Sequence, residues 1–199
     1  MHILSNTCLI AMFSVLLFTQ CGKEPQTEPE IESVEISSNP YLKSLECTNL
    51  QLTSLDISNN PDLRQLNCSN NQLSSLDVSG KADLRNLYCN NNLLSSLDVS
   101  DNIQLEHFRC RSKQLTSMDL SNNVELTNFY LGKNQLSSLD ISSNTNLVTT
   151  VWESIPDIVL DSMPTLFEVC VWELPFPPEG VDIDTTASPN IYFTTACSK

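Results

Sequence analysis

The sequence predicts a mainly β fold: a solenoid of short parallel strands, about six 21-residue turns long, closed by an irregular C-terminal cap. Three observations carry this reading. Leu45, Leu66, Leu87, Phe108 and Phe129 follow one another at intervals of 21, and the copies share a string close to LxxLxCxNNQLSSLDVSxNxx. Each copy divides again into two half-repeats of 10 or 11 residues. Within the half-repeats the apolar residues come in period-two pairs, such as Leu66 with Cys68 and Leu55 with Ile57. That spacing puts both side chains on one face of a short strand.

The chain opens with a targeting segment over residues 1–20. Cys8 to Phe18 is an apolar run broken by one Ser, too short to span a bilayer. The string Phe18-Thr19-Gln20-Cys21-Gly22 follows it and resembles the lipobox of bacterial lipoproteins. The resemblance implies cleavage before Cys21 and a lipid anchor on Cys21, which would tie the protein to a membrane. Residues 22–30 (GKEPQTEPE) are polar and contain proline, so residues 21–30 read as the anchor and a disordered tether. The Lys23-Glu24 pair resembles the surface-export signals of Bacteroidetes-type secreted lipoproteins. These resemblances imply secretion across the inner membrane and display in the cell envelope, at the outer-membrane surface.

The solenoid is expected over residues 31–152. Ile31, Val34, Ile36 and Asn39 fit a second half-repeat, which places its start near Ile31. One turn offers about six inward apolar side chains, each contributing roughly 1.5–3 kcal/mol on burial. Ordering the backbone costs about 1–2 kcal/mol per residue. A single turn is therefore unstable, and turns must stack through strand ladders at about 4.8 Å. Two strands per turn are expected. The LxxLxCxxNxL string, repeated in register, resembles the leucine-rich-repeat family, and more narrowly its bacterial 21-residue, nested-period subclass, the IRREKO-like repeats. The resemblance implies a curved array with a strand-lined binding surface; no repeat has space for a long convex helix, so little α-helix is expected outside the signal segment.

Several rows of equivalent residues follow from the period. Asn71, Asn92 and Asn134 occupy one turn position; Asn39, Asn60, Asn102, Asn123 and Asn144 occupy another. Their amides suit backbone groups that turns leave unpaired, with breaks expected at Leu50, Lys81 and Lys113. Cys47, Cys68, Cys89 and Cys110 form an inward row that the period continues through Leu131 and Trp152. A metal site or disulfides are the alternatives to buried free thiols, and the thiols are preferred. Ladder spacing is long for a disulfide, and a one-dimensional stack does not present ligands tetrahedrally. Asp56, Asp77, Asp98, Asp119 and Asp140 form an outward row flanked by serines. Mutual repulsion is expected to raise their pKa values. A solvated polar ladder is preferred to a calcium-binding stripe, since glycine-rich calcium loops are absent. No metal or cofactor is expected.

The other strand carries varied outward residues. Tyr88, Arg109 and Tyr130 fall in one outward row, with His107 and Arg111 beside it. Aromatic and Arg side chains are enriched at binding surfaces, so these five are the candidate binding residues; free variation of surface positions is the alternative.

The 24 acidic against 10 basic residues give a net charge of -14. That balance argues against nucleic acid as partner and against electrostatic docking on anionic membranes. Only four glycines occur, none in a phosphate-binding string. Just two histidines are present, and no HExxH or GxSxG string accompanies them, so no enzyme is expected. The expected role is a non-catalytic, adhesin-like surface module for an unidentified protein or glycan. A structural or assembly role in the envelope is the alternative, and an enzyme acting on glycans is disfavoured because the acidic residues repeat in every turn. Residues 153–199 are expected to form the cap, since Pro156, Pro164, Pro175, Pro177 and Pro178 interrupt regular stacking. Cys170 and Cys197 are a candidate disulfide within it.

Overall fold

The computed structural model describes residues 7–9, 39–112, 114–147, 157–174, 176–177 and 181–197. The expectations placed on Cys21, the tether, Ile31, Val34, Ile36, Lys113, Trp152, Pro156, Pro175 and Pro178 fall outside these residues. Among the described residues the secondary structure is all β. The strands are β1 (Thr7–Leu9), β2 (Ser44–Glu46), β3 (Gln65–Asn67), β4 (Asn86–Tyr88), β5 (His107–Arg109), β6 (Asn128–Tyr130), β7 (Ser138–Asp140), β8 (Ile158–Val159), β9 (Glu168–Cys170), β10 (Ile183–Asp184) and β11 (Tyr192–Thr194). Among the described residues no helix is long and apolar enough to cross a membrane.

The strands form two parallel sheets, in the orders β1-β2-β3-β4-β5-β6-β8-β10 and β11-β9-β7. From β2 to β6 each strand pairs with its equivalent one turn on, so that Leu45 meets Leu66, Leu66 meets Leu87, Leu87 meets Phe108, and Phe108 meets Phe129. β1 lies inside the expected targeting segment and pairs with β2, Cys8 opposite Leu45.

Alternation sets the interior. The central residue of each strand from β2 to β6 is buried while its neighbours are partly or fully exposed. Leu63, Leu66, Cys68, Leu73, Leu76 and Val78 from one turn join their equivalents in one continuous core. Cys47, Cys68, Cys89 and Cys110 are buried free thiols within it. Burial raises the pKa of Cys68 well above its usual range. For Cys89 the thiol of Cys110 leads and burial follows, in the same direction.

The second strand expected in each turn is realised only late. At Asp56, Asp77, Asp98 and Asp119 the backbone N–H two residues on is donated to the Asp carboxylate at 2.9 Å. These are local Asx turns; the same turn follows Asp140 at the end of β7, so it accompanies the strand position whether or not a ladder forms there. A second ladder appears at β7, where Leu139 meets Val169 and Val169 meets Phe193.

The period changes after β6. Phe129 pairs with Ile158, 29 residues on rather than 21. Leu131 N then donates to Val159 O at 2.9 Å, so Leu160, fully buried, follows Leu131 in the inward row. The place that a strict period assigns to Trp152 is thus filled by Leu160, because the lengthened turn delays the strand. The first sheet runs past residue 152 without a break, through β8 to β10. Beside it Cys170 and Cys197 are joined by a disulfide, with Cα atoms 5.4 Å apart.

Candidate functional site

The outward face of the first sheet is built from the residues flanking each buried strand centre. Parallel register stacks Tyr88 on Arg109 and Arg109 on Tyr130. The Arg109 guanidinium carbon lies 5.1 Å from the Tyr88 ring centre and 4.4 Å from that of Tyr130. Both are cation–π contacts, each worth about 0.5–1 kcal/mol at an exposed site. All three side chains are half-buried, and Arg109 makes no ion pair among the described residues. Its guanidinium is held between the two rings. Burial pushes the Tyr130 hydroxyl pKa up, against the smaller lowering effect of Arg109.

The other two candidates are differently placed. His107 stands in the neighbouring row, where Asn128 Nδ2 donates to its Nδ1 at 2.8 Å. Arg111 is engaged: its Nη2 donates to both carboxylate oxygens of Asp161 at 2.7 Å. Gly132 sits between them, and a Cβ added there would meet Asp161 Oδ1 at 1.9 Å. The structure therefore brings together Tyr88, Arg109 and Tyr130, sets His107 beside them, and commits Arg111 to an internal ion pair. Sequence reasoning missed that pair because Asp161 lies beyond the lengthened turn.

It also missed a basic row. Lys43, Arg64 and Arg85 precede β2, β3 and β4, one per turn. Arg64 N donates to Lys43 O at 2.8 Å, and Arg85 N to Arg64 O at 2.9 Å. The 21-residue spacing was the available signal, masked by the acidic total.

The Asp row corrects an expectation. The carboxyls of Asp56, Asp98 and Asp119 are held below the ordinary value of 3.8, first by the N–H and then by the hydroxyl of the serine two residues on. For Asp77 the Ser79 hydroxyl leads. Repulsion between neighbours acts on Asp56 and Asp119, but as the smallest effect; the hydrogen bonds to the charged form win. Carboxylate NMR titration should give midpoints below 3.8 for these residues, with Asp77 moving up in Ser79→Ala. Folded-state pKa values below the unfolded value of about 3.9 mean the contribution to stability is present above that pH. It is lost as pH falls through the folded values. Midpoints above 3.8 would restore the repulsion account. The cluster Asp140, Cys170 and Cys197 has the spacing of a metal site, but both its sulfurs are in the disulfide.

The architecture and its inward thiol row define a parallel β-solenoid of the leucine-rich-repeat kind with a cysteine ladder. Among solved structures it is similar to the functional domain of InlJ from Listeria monocytogenes, which includes a cysteine ladder. The TM-score is 0.70 at 28% identity, over 80% of this chain and 33% of that one. This chain thus spans about a third of the length of that structure. No protein-family model and no curated protein matches it.

Proposed function

We propose that this chain is a non-catalytic binding module, a repeat scaffold that presents the outward face of its first sheet to a protein or glycan. One observation carries the reading: the Tyr88–Arg109–Tyr130 stack, in which a guanidinium is fixed between two aromatic rings. Fixing the three side chains in advance lowers the entropy lost on binding, and Tyr and Arg are the residue types in which binding energy concentrates. The likeness to a leucine-rich-repeat solenoid supports a protein-binding repeat module in general terms. The lipobox-like string at Cys21 supports display from the cell envelope by a lipid anchor, adhesin-like in role.

The test is an array of proteins and glycans probed with the chain and with its Arg109→Ala variant. A hot-spot residue contributes about 2 kcal/mol or more, so ligands selected by the parent should weaken about 30-fold or more. Retention of every ligand by the variant would overturn the proposal.

A further inference from the structure

We infer that the basic row Lys43–Arg64–Arg85 forms one wall of a second binding site, a groove for an acidic polysaccharide that adjoins the tyrosine–arginine stack across Asn86 and His107. The chain has ten Lys and Arg against 24 Asp and Glu, yet three of the ten stand in consecutive turns. Their backbones are hydrogen-bonded one to the next, so the residues sit about 4.8 Å apart along the solenoid. Like charges directly opposite each other on neighbouring strands destabilise a sheet. Only Arg85 is relieved, by an ion pair with Glu106 at the end of the row. Lys43 and Arg64 make no ion pair among the described residues. Three cations in register met by a single carboxylate, Glu106, are an arrangement a polyanion would neutralise.

The groove itself indicates the class of polyanion. It has a volume of about 450 Å³, and Ser44, Gln65, Asn86, His107 and one carboxylate, that of Glu106, line it beside the basic wall. No apolar side chain lines it, so it lacks the aromatic or aliphatic pockets in which protein partners anchor. Hydroxyl, amide and imidazole groups beside regularly spaced cations match a ligand that offers sugar hydroxyls with an anionic group on successive residues. The overall charge does not oppose this. The acidic Asp row is on the other half of each turn and does not line the groove, and the one carboxylate that does, Glu106, is engaged by Arg85.

The experiment is calorimetric titration of the full chain with polygalacturonate, its fully methyl-esterified form, dextran sulfate and polyphosphate. Binding to polygalacturonate or dextran sulfate, whichever is stronger naming carboxylate or sulfate as the anionic group, is expected. The neutral ester should not bind. Charge-assisted hydrogen bonds are worth about 1.5–3 kcal/mol, so the Arg64→Gln, Arg85→Gln double variant should weaken binding about tenfold or more. The control Asp98→Asn, on the other half of the turn, should bind as the parent does. Lys43→Gln gives an independent reading through a second residue of the row. Absence of binding to both anionic polysaccharides, equal binding of polyphosphate, or undiminished binding by the double variant and by Lys43→Gln would each overturn the inference.

Discussion

Asn71→Ala is expected to destabilise the fold by about 3–5 kcal/mol, close to the most that a single substitution removes. The Asn71 side chain is buried and satisfies four backbone groups. Its Oδ1 accepts from Leu50 N and Leu52 N at 3.0 Å each. Its Nδ2 donates to Cys47 O at 2.8 Å and Cys68 O at 2.9 Å. One amide thus closes its own turn and fastens it to the turn before. Alanine would leave the two N–H donors without their acceptor in a dry interior and take one bond from each carbonyl, of which Cys68 O keeps the one from Asn92 Nδ2; each orphaned group costs about 1–3 kcal/mol. Asn123 is the comparison. It donates to Val99 O and Asn102 O, but its buried Oδ1 has no partner. Asn123→Ala should therefore cost about half as much. Urea unfolding of the two variants decides the matter. Equal losses, or a loss below about 1 kcal/mol for Asn71→Ala, would show that shape rather than hydrogen bonding sets the value of the row.

The same row shows what was legible in the sequence. A strict period of 21 identifies Asn71, Asn92 and Asn134 as equivalents, and the structure gives all three the same bonds to the carbonyls of their own and the preceding turn. Inward Leu and Cys residues were legible for the same reason: a repeated environment imposes a repeated residue. The left-handed corners before the row were less so. Asn49, Asn70 and Asn91 have φ between 54 and 59°, and Lys133 takes the same conformation at 63°. Asn tolerates this region more readily than Lys, but a fixed turn geometry overrides the preference. Next to the broken position the buried Ser112 hydroxyl takes up a place in the row, donating to Asn134 Oδ1 at 3.0 Å with Leu94 O as the alternative acceptor at 3.3 Å. Adjacent-residue repairs of this kind leave no periodic trace. Nor do features that depend on a change of period: Leu160 in the inward row and Asp161 beside Gly132 both follow the lengthened turn.

For the candidate site, the stacking of Tyr88, Arg109 and Tyr130 followed directly from the register. What their charges do did not, because partner choice depends on which side chains lie across neighbouring rows. Arg109 and Arg111 look alike in the sequence, two residues apart on one strand face. The structure separates them into a guanidinium held by rings and one held by a carboxylate. The basic row has the same origin: total charge is a sum over the chain, whereas binding depends on where the charges stand.

Gly132→Ala should cost about 2–3 kcal/mol, far more than a glycine-to-alanine change ordinarily costs on a surface. No left-handed backbone is involved; the demand is for space. The new Cβ would fall 1.9 Å from Asp161 Oδ1 and 2.8 Å from Asp161 O, so Asp161 must move. Its carbonyl also accepts from Lys133 N at 2.7 Å, which couples the displacement to the backbone. Moving Asp161 breaks the bonds from Arg111, leaving a largely buried carboxylate without its cation. Removing one partner of a buried pair costs about 3–5 kcal/mol, discounted here because the Arg111 side chain remains 30% exposed. Thermal or urea unfolding of Gly132→Ala, Asp161→Ala and the double variant measures the coupling. Gly132→Ala should lose much of its cost once Asp161 is shortened. Arg111→Ala then separates the two roles open to that residue: a bridge between turns predicts lower stability with array ligands still bound, whereas a ligand contact predicts lost affinity at unchanged stability. The geometry favours the first, because Arg111 spans the Gly132 turn to join β5 to the turn that follows β8 and so fastens the regular repeats to the part of the chain where the period has changed.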